Sequence, residues 1–304
     1  MIPLTAHGYT ALIDDRHGGN CLKLARFGAD ALRTPESETD RERAPFFYGT
    51  PMLFFPNRIS GGRFTFEGRE YGLPVNEKPT GCFLHGVMHE TAFATVRTEK
   101  DRASLRRRFT REDPYLTFPH AFTVLLEVSL GEEGLNQTVT VTNDSELNMP
   151  AALGFHTAFR LPFSPRSGAG RVSLRLDAAA EYPRDPKTHL PDGTIITGDE
   201  DMEALRAGTF MPAARPVSRL YKMGNDKKTA LTDPGSGVRV SYQAKRGYGY
   251  WMVFSPSPDF ICVEPQSWLT DCPNGPFPRE ETGFGFIEPG GCRIYETLMC
   301  IERI

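Results

Sequence analysis

Apolar residues recur at every second position along most of this chain, and a period of two buries them on one face of a β-strand. Phe122, Val124, Leu126, Val128 and Leu130 alternate with their neighbours, and after Gly131-Glu132-Glu133-Gly134 the alternation resumes at Leu135, Gln137, Val139 and Val141. Two such runs around a glycine-bounded turn predict a hairpin. Val172, Leu174 and Leu176, then Val238, Val240 and Tyr242, then Tyr250, Met252 and Phe254 repeat the pattern, and Arg293 to Ile301 reads as a further strand. Phe64 and Phe66, with Tyr71 and Leu73, flank Glu67-Gly68, the signature of a tight turn between two short strands. A helical period shows at one place, Asp199 to Arg206, with acids in the first turn, Met202 and Leu205 on one face and Gly208 as a stop. The expected class is all-β, with antiparallel strands.

Composition narrows the partners. The 304 residues carry 35 Lys and Arg against 38 Asp and Glu, a net charge of -3, so no bulk field attracts nucleic acid or an anionic membrane surface. No apolar run approaches the roughly 18 residues of a membrane-spanning helix. A small or neutral ligand is the expected partner. Neither a Gly/Ser-rich linker nor a fixed-period repeat divides the chain, which predicts one large β domain over residues 1–304. Met1 to Gly8 lacks a basic region followed by an apolar one, so a cytoplasmic location is expected. The six cysteines form no C-x-x-C pair, zinc spacing or disulfide framework, and most read as small buried hydrophobes. Arg33 to Arg43, charged and poor in apolar residues, reads as a mobile surface loop.

Four polar segments carry groups able to do proton chemistry. The apolar run Tyr48 to Phe55 stops at Pro56 and presents Asn57 and Arg58 before Gly61-Gly62. A guanidinium there can aim a rigid fork of donors at a ligand oxygen or pair with a carboxylate. His85 and His89 have the spacing of a helical metal pair, but Gly86 follows His85 directly and no H-E-x-x-H pattern exists. That leaves His85 as a structural or a ligand-binding histidine. His156 sits among apolar residues in Leu153 to Phe159, a satisfied core histidine or a proton donor near neutral pH. Alternation over Phe260 to Trp268 places Phe260, Cys262 and Glu264 on one face, with Ile261 and Val263 on the other. An apolar strand raises the pKa of such a carboxylate toward the range of a general base, unless it is neutralised in a salt bridge. Pro265 is expected to end the ladder and leave Glu264 at the sheet's rim.

These segments together resemble a known family. The run from Gly49 through Pro56-Asn57-Arg58-Ile59 and Gly61, then Phe64, Gly68, Tyr71, Leu73, Asn76 and Leu84-His85-Gly86, is similar to the N-terminal signature of the aldose 1-epimerases, or galactose mutarotases. Gly154-x-His156-x-x-Phe159 and Val263-Glu264-Pro265 match that family's second and third motifs in order, and the resemblance covers roughly residues 45 to 300. It implies a large antiparallel β-sandwich with an open sugar cleft. It also implies Glu264 as general base and His156 as general acid, with His85, Arg58 and Asn57 binding the sugar. Glu264 would take the proton of the anomeric hydroxyl while His156 protonates the ring oxygen; the opened aldehyde rotates about C1–C2 and recloses on the other face. Proton transfer alone suffices, so neither a cofactor nor a metal is expected. Such a site needs both side chains within one sugar ring of each other, on the same side of the sheet.

One family feature is missing. Well-known members hold sugar hydroxyls with an aspartate between the second and third motifs, and the region around Leu220-Tyr221-Lys222 offers none; Asp192 and Asp201 are candidates that no motif supports. The resemblance is thus to a divergent branch acting on another hexose, a pentose or a modified sugar. Arg106-Arg107-Arg108 raises the alternative of a hexose 6-phosphate mutarotase, against the plainer reading of a solvated strand face. A non-catalytic sugar-binding or sensing β-sandwich is the alternative from another class. Glycoside hydrolysis ranks last, since it needs two carboxylates and the motifs supply one. The expected partner is a small aldose, bound by a monomer or homodimer.

Overall fold

The hairpin predicted from period-two alternation forms in the computed structural model, which describes residues 1–304: Phe122–Leu130 pairs with Leu135–Asn143, closing at Leu130 opposite Leu135. Phe122, Val124, Leu126, Val128 and Leu130 are all buried, whereas Glu127 faces solvent. This hairpin is part of an eight-stranded antiparallel sheet in the spatial order Ala94–Thr98, Arg102–Phe109, Phe122–Leu130, Leu135–Asn143, Cys292–Arg303, Val238–Arg246, Lys228–Asp233, Ser173–Leu176. A second sheet of seven strands runs Ala178–Glu181, Val217–Met223, Tyr250–Ser255, Phe260–Gln266, Gly154–Phe155, Met52–Leu53, with Ala158–Arg160 also on Phe260–Gln266. The sheets share one apolar core, which draws Val124, Leu126, Val139, Val240 and Tyr242 from the first and Phe155, Trp251, Val253, Ile261 and Val263 from the second. The Tyr242 and Trp251 rings lie 5.9 Å apart across it, and Thr157 donates a 3.1 Å hydrogen bond to the Tyr242 hydroxyl. Each such large side chain contributes about 1.5–3 kcal/mol by leaving water. The fold is all-β, as the alternation required.

Two parts go beyond the sequence reading. Residues before 45 build a four-stranded sheet, Ile2–Ala6, Tyr9–Asp14, Asn20–Arg26 and Ala29–Asp30, which the sequence reading did not pick out although Ile2 and Leu4, then Tyr9, Ala11 and Ile13, are buried in alternation. The charged stretch Arg33 to Arg43, expected as a mobile loop, instead holds the helix Glu38–Arg43, capped by the Ser37 side chain. Arg41 ties this helix to the buried Asp14 carboxylate at 2.5 Å. The foreseen helix forms at Glu200–Ala207, with Asp199 accepting from the Met202 amide at 2.7 Å and Gly208 closing it at φ 75°. Four cysteines are buried; Cys292 is exposed, Cys300 half-buried, and none is disulfide-bonded. No helix is long and apolar enough to cross a membrane.

Candidate active site

Strand register builds the floor of a cleft on the outer face of the seven-stranded sheet. Leu220 pairs with Met252 and Met252 with Glu264; one step along, Ser218 pairs with Phe254 and Phe254 with Cys262. Residues paired across antiparallel strands share a face, so Ser218, Met252, Phe254 and Glu264 all line one cavity of about 240 Å³. Its remaining walls come from Phe46, Phe47, Asn57, Arg58, Leu84, His85, His156, Arg184 and His189. All five residues singled out by sequence, Glu264, His156, His85, Arg58 and Asn57, face it.

Pro265 does not end the ladder. The strand continues to Gln266, with Trp251 opposite Pro265, and Glu264 is 1% exposed on an interior strand rather than at a rim. Val263 and Ser267 donate backbone hydrogen bonds to Thr157 and Leu153 on the neighbouring segment. Pro265 sits between them, where that segment leaves the sheet and the His156 amide turns to Pro51. A residue without an N–H fits the one place where no acceptor waits. The same departure swings His156 over Glu264, and its Nε2 lies 3.2 Å from Glu264 Oε1.

A hydrogen-bonded frame holds the pair. Gln266 Nε2 donates to Glu264 Oε2 at 2.9 Å, and Asn57 Nδ2 donates to Gln266 Oε1 at 3.4 Å. Asn57 and His85 both occupy left-handed backbone, φ 62° and 60°, a conformation that costs a non-glycine residue energy and persists where its surroundings demand it. The demand is mutual: the His85 amide donates to the Asn57 carbonyl at 3.0 Å, and the Asn57 amide donates to His85 Nδ1 at 3.1 Å. With Nδ1 an acceptor, His85 carries its proton on Nε2 and remains a donor to the cavity. Gly86 follows at φ 72°, where a Cβ would overlap the Tyr115 hydroxyl and the Phe54 carbonyl, so the His-Gly dipeptide is a packing requirement. His89 lies apart from the cavity, against the Phe46 ring at 4.3 Å.

Burial sets the charge state. It pushes the Glu264 carboxyl up to about 8, against the Gln266 hydrogen bond and the fields of Arg184 and Arg58. It pulls His156 down to about 3, and His85 well below the usual imidazole range, the latter helped by His156 and Arg58. Both shifts favour one proton shared by the Glu264–His156 pair through neutrality over a separated carboxylate and imidazolium. Arg58 is neutralised by Glu77, its Nε and Nη2 each 2.6 Å from the carboxylate. Burial works to raise Glu77, but the Arg58 and Thr80 hydrogen bonds prevail and hold it below the ordinary carboxylate value.

Several residues at the cavity escaped the sequence reading. Phe46 and Phe47 follow the Glu38–Arg43 helix and cover the histidines, the Phe46 ring 4.7 Å from His85 and 5.6 Å from His156. Arg184, His189 and Ser218 form the far side. No aspartate lines the cavity: Asp192 is exposed, and Asp201 is bound by Arg215 and Arg219. Arg106–Arg108 also lie elsewhere, on the strand Arg102–Phe109, with Arg107 paired to Asp113 and Arg108 near Asp144. A larger surface depression of about 850 Å³ around Pro114–Ala121 has one histidine, His120, bonded to Tyr71 and Ser145 rather than to an acid.

Comparison with known proteins agrees with this architecture. The sequence model of the aldose 1-epimerase family matches residues 4–283. A crystal structure of a galactose mutarotase-like protein from Clostridium acetobutylicum superposes with a TM-score of 0.94 at 27% identity, covering 99% of this chain and 95% of the other. The uncharacterized protein YphB of Escherichia coli is 30% identical over 233 residues, 73% of each chain. The galactose mutarotase of Rattus norvegicus is 28% identical over 160 residues, 53% of this chain and 45% of that one.

Proposed function

The chain belongs to the aldose 1-epimerase family, and we propose that it interconverts the α and β anomers of a free aldose by acid–base ring opening. The observation that carries this reading is the 3.2 Å contact between His156 Nε2 and Glu264 Oε1 in one cavity. Mutarotation moves two protons, one from the anomeric hydroxyl and one to the ring oxygen, and needs one base and one acid. A pair that holds one proton is one base and one acid. Shift of that proton from Glu264 to His156 across the contact gives a carboxylate, which takes the O1 proton, and an imidazolium, which protonates O5. The C1–O5 bond then breaks, and rotation about C1–C2 followed by the reverse transfers closes the other anomer. His85 Nε2 and the free Nη1 of Arg58 serve as donors to ring hydroxyls. Phe46 and Phe47 keep water from the pair. Each positioned proton-transfer group contributes typically about 10²–10⁴-fold.

Saturation-transfer NMR of anomer exchange tests this with wild type and Glu264→Gln on glucose, galactose, xylose and arabinose. Exchange accelerated by wild type and lost in the variant supports mutarotation; no acceleration with any sugar refutes it for that panel. A non-catalytic sugar-binding role is the second reading. The cavity's lack of an aspartate favours it, and ligand-induced line broadening without exchange would establish it.

A further inference from the structure

Arg184 is the one cation of the cavity with no acid of its own. Its Nη2 donates to the Ser218 carbonyl at 2.9 Å and the Ser218 hydroxyl at 2.8 Å, and Nε and Nη1 have no protein acceptor. Glu264 and Glu181 act on it only through space, since Glu264 is engaged by His156 and Gln266 and Glu181 by Arg219 at 2.9 Å. Burial first, then the field of Arg58, bring its pKa down to about 10, so it stays charged at neutrality. With Arg58 matched by Glu77, the Glu264–His156 pair neutral as a unit and His189 held below its usual value by burial and the two arginines, the cavity carries one net positive charge. A half-buried guanidinium lacking a counter-ion is a standing cost, offset when a ligand supplies the anion.

Its position says where that anion belongs. Ser218, which anchors Arg184, lies on the strand Val217–Met223, and Glu264 lies on Phe260–Gln266 with one strand between them. Two strand spacings are about 10 Å. A pyranose laid over Met252 and Phe254 with C1 at the Glu264–His156 pair therefore directs its opposite edge to Arg184.

We infer that the preferred substrate is an aldose bearing one anionic group on the ring edge away from C1, and that Arg184 is the residue that recognises it. The placement of C1 rests on the mutarotase reading; the demand for an anion does not. This inference accounts for the missing aspartate, since an acid at this edge would repel such a group. It also gives the anion a receptor other than Arg106–Arg108, which lie outside the cavity.

Binding separates the two readings because it needs no turnover. In Glu264→Gln, the affinities of glucuronate, glucose 6-phosphate and glucose are measured by titration calorimetry, and repeated with Arg184→Met and Arg184→Lys added. At least one anion is expected to bind about 10–100-fold more tightly than glucose, the range of a hydrogen bond to a charged group. The Met variant should abolish that preference and leave glucose within about threefold, while the Lys variant keeps part of it through charge without the planar fork. Carboxylate and phosphate are distinguished by which of the two acids leads. Glucose binding as tightly as both acids, a preference that survives Arg184→Met, or no binding of either acid overturns the inference. Wild-type exchange assays on the same sugars run alongside. Anion preference with no exchange refutes mutarotation and keeps the anion site, whereas exchange of glucose with no anion preference does the reverse.

Discussion

At one end of the cavity Glu264, His156, His85 and Asn57 are all buried and each is held by a neighbour: strand register for Glu264, a 3.2 Å contact for His156, reciprocal hydrogen bonds for His85 and Asn57. At the other end Arg184 and His189 are half-buried on a segment outside the sheets, and Ser218 is exposed. The two ends meet different physical demands. Proton transfer requires groups within hydrogen-bond reach and shielded from water, which dense packing against the sheet provides. Choosing among sugars requires a charge or a hydroxyl partner at the right edge, and a loop can supply it without disturbing the core. The difference predicts that substitutions at the buried end change the rate for every sugar and those at the open end change which sugar is preferred.

The largest effect that would break this division comes from the pair itself. Glu264→Gln and His156→Gln should each lower the exchange rate about 10²–10⁴-fold with every sugar that turns over. The double variant should lose little more than the worse single one, because the two act as one proton-holding unit. Multiplicative losses in exchange kinetics would show instead two independent groups. The pH profile sharpens the same point. Loss of the pair's proton near pH 8, the elevated position of Glu264, leaves a base and no acid. kcat/KM should be flat through neutrality and fall about tenfold per unit above that pH, once the uncatalysed rate is subtracted.

Stability gives the next effect, on the order of a few kcal/mol. Burial raises the folded-state pKa of Glu264 from 4.5 to about 8, so between these values the unfolded chain has released a proton that the native protein keeps. Stability from this group is thus intact at pH 4 and declines as pH rises toward 8, by about 1.4 kcal/mol per unit at most. His156, lowered from 6.5 to about 3, works in the opposite sense and costs stability as pH falls through that interval. Glu264→Gln removes only the first term. Denaturant unfolding at pH 4 and pH 8 should find the variant gaining on wild type at the higher pH; an unchanged difference would mean the carboxylate is solvated in the native state. A buried site that gains stability on losing its acid is one built against its own folding energy.

The comparison also explains what the sequence disclosed. Period-two alternation exposed the long strands because one buried face per strand is a local property, and it placed Glu264, Cys262 and Phe260 together without any knowledge of the partner strands. Met252 and Phe254 stood in the same alternation, yet their place in the cavity depends on pairing with Glu264 and Cys262, which no local pattern states. Pro265 misled for the same reason: it breaks a ladder only where a partner waits to accept. Asn57-Arg58 were legible because an apolar run stops at Pro56 just before them, and His85-Gly86 because the dipeptide stands in the segment that resembles the family's first motif; the left-handed backbone of Asn57 and His85 and the crowding at Gly86 show only in the fold. Arg184 had no such mark. It sits in Tyr182-Pro183-Arg184-Asp185-Pro186, outside any period, and its importance arises from the acids that are not near it.

The smallest effect concerns the cover over both ends. The Arg33 to Arg43 stretch looked free in sequence because its charges have no local apolar companions; in the fold one of them, Arg41, reaches Asp14, whose side chain is 2% exposed, and shares that carboxylate with His17 at 2.9 Å. Arg33 completes the anchorage, donating to the Phe47 carbonyl at 3.4 Å and lying over the Phe260 ring at 4.2 Å. Between these two clamps run Phe46 and Phe47, whose rings meet His85, His156 and Phe254. Arg41→Met leaves Asp14 with only His17 and the Arg16 amide as partners and should cost about 1–3 kcal/mol of stability, the penalty of a poorly compensated buried acid. Its effect on turnover discriminates between a cover that only excludes water and one that also grips sugar. Loosened aromatic contact raises KM several-fold at constant kcat if the rings bind substrate in ground and transition states alike. A fall in kcat instead would show that Phe46 sets the environment of His156, and the cover would then belong to the buried, rate-determining end of the cavity rather than to the open one.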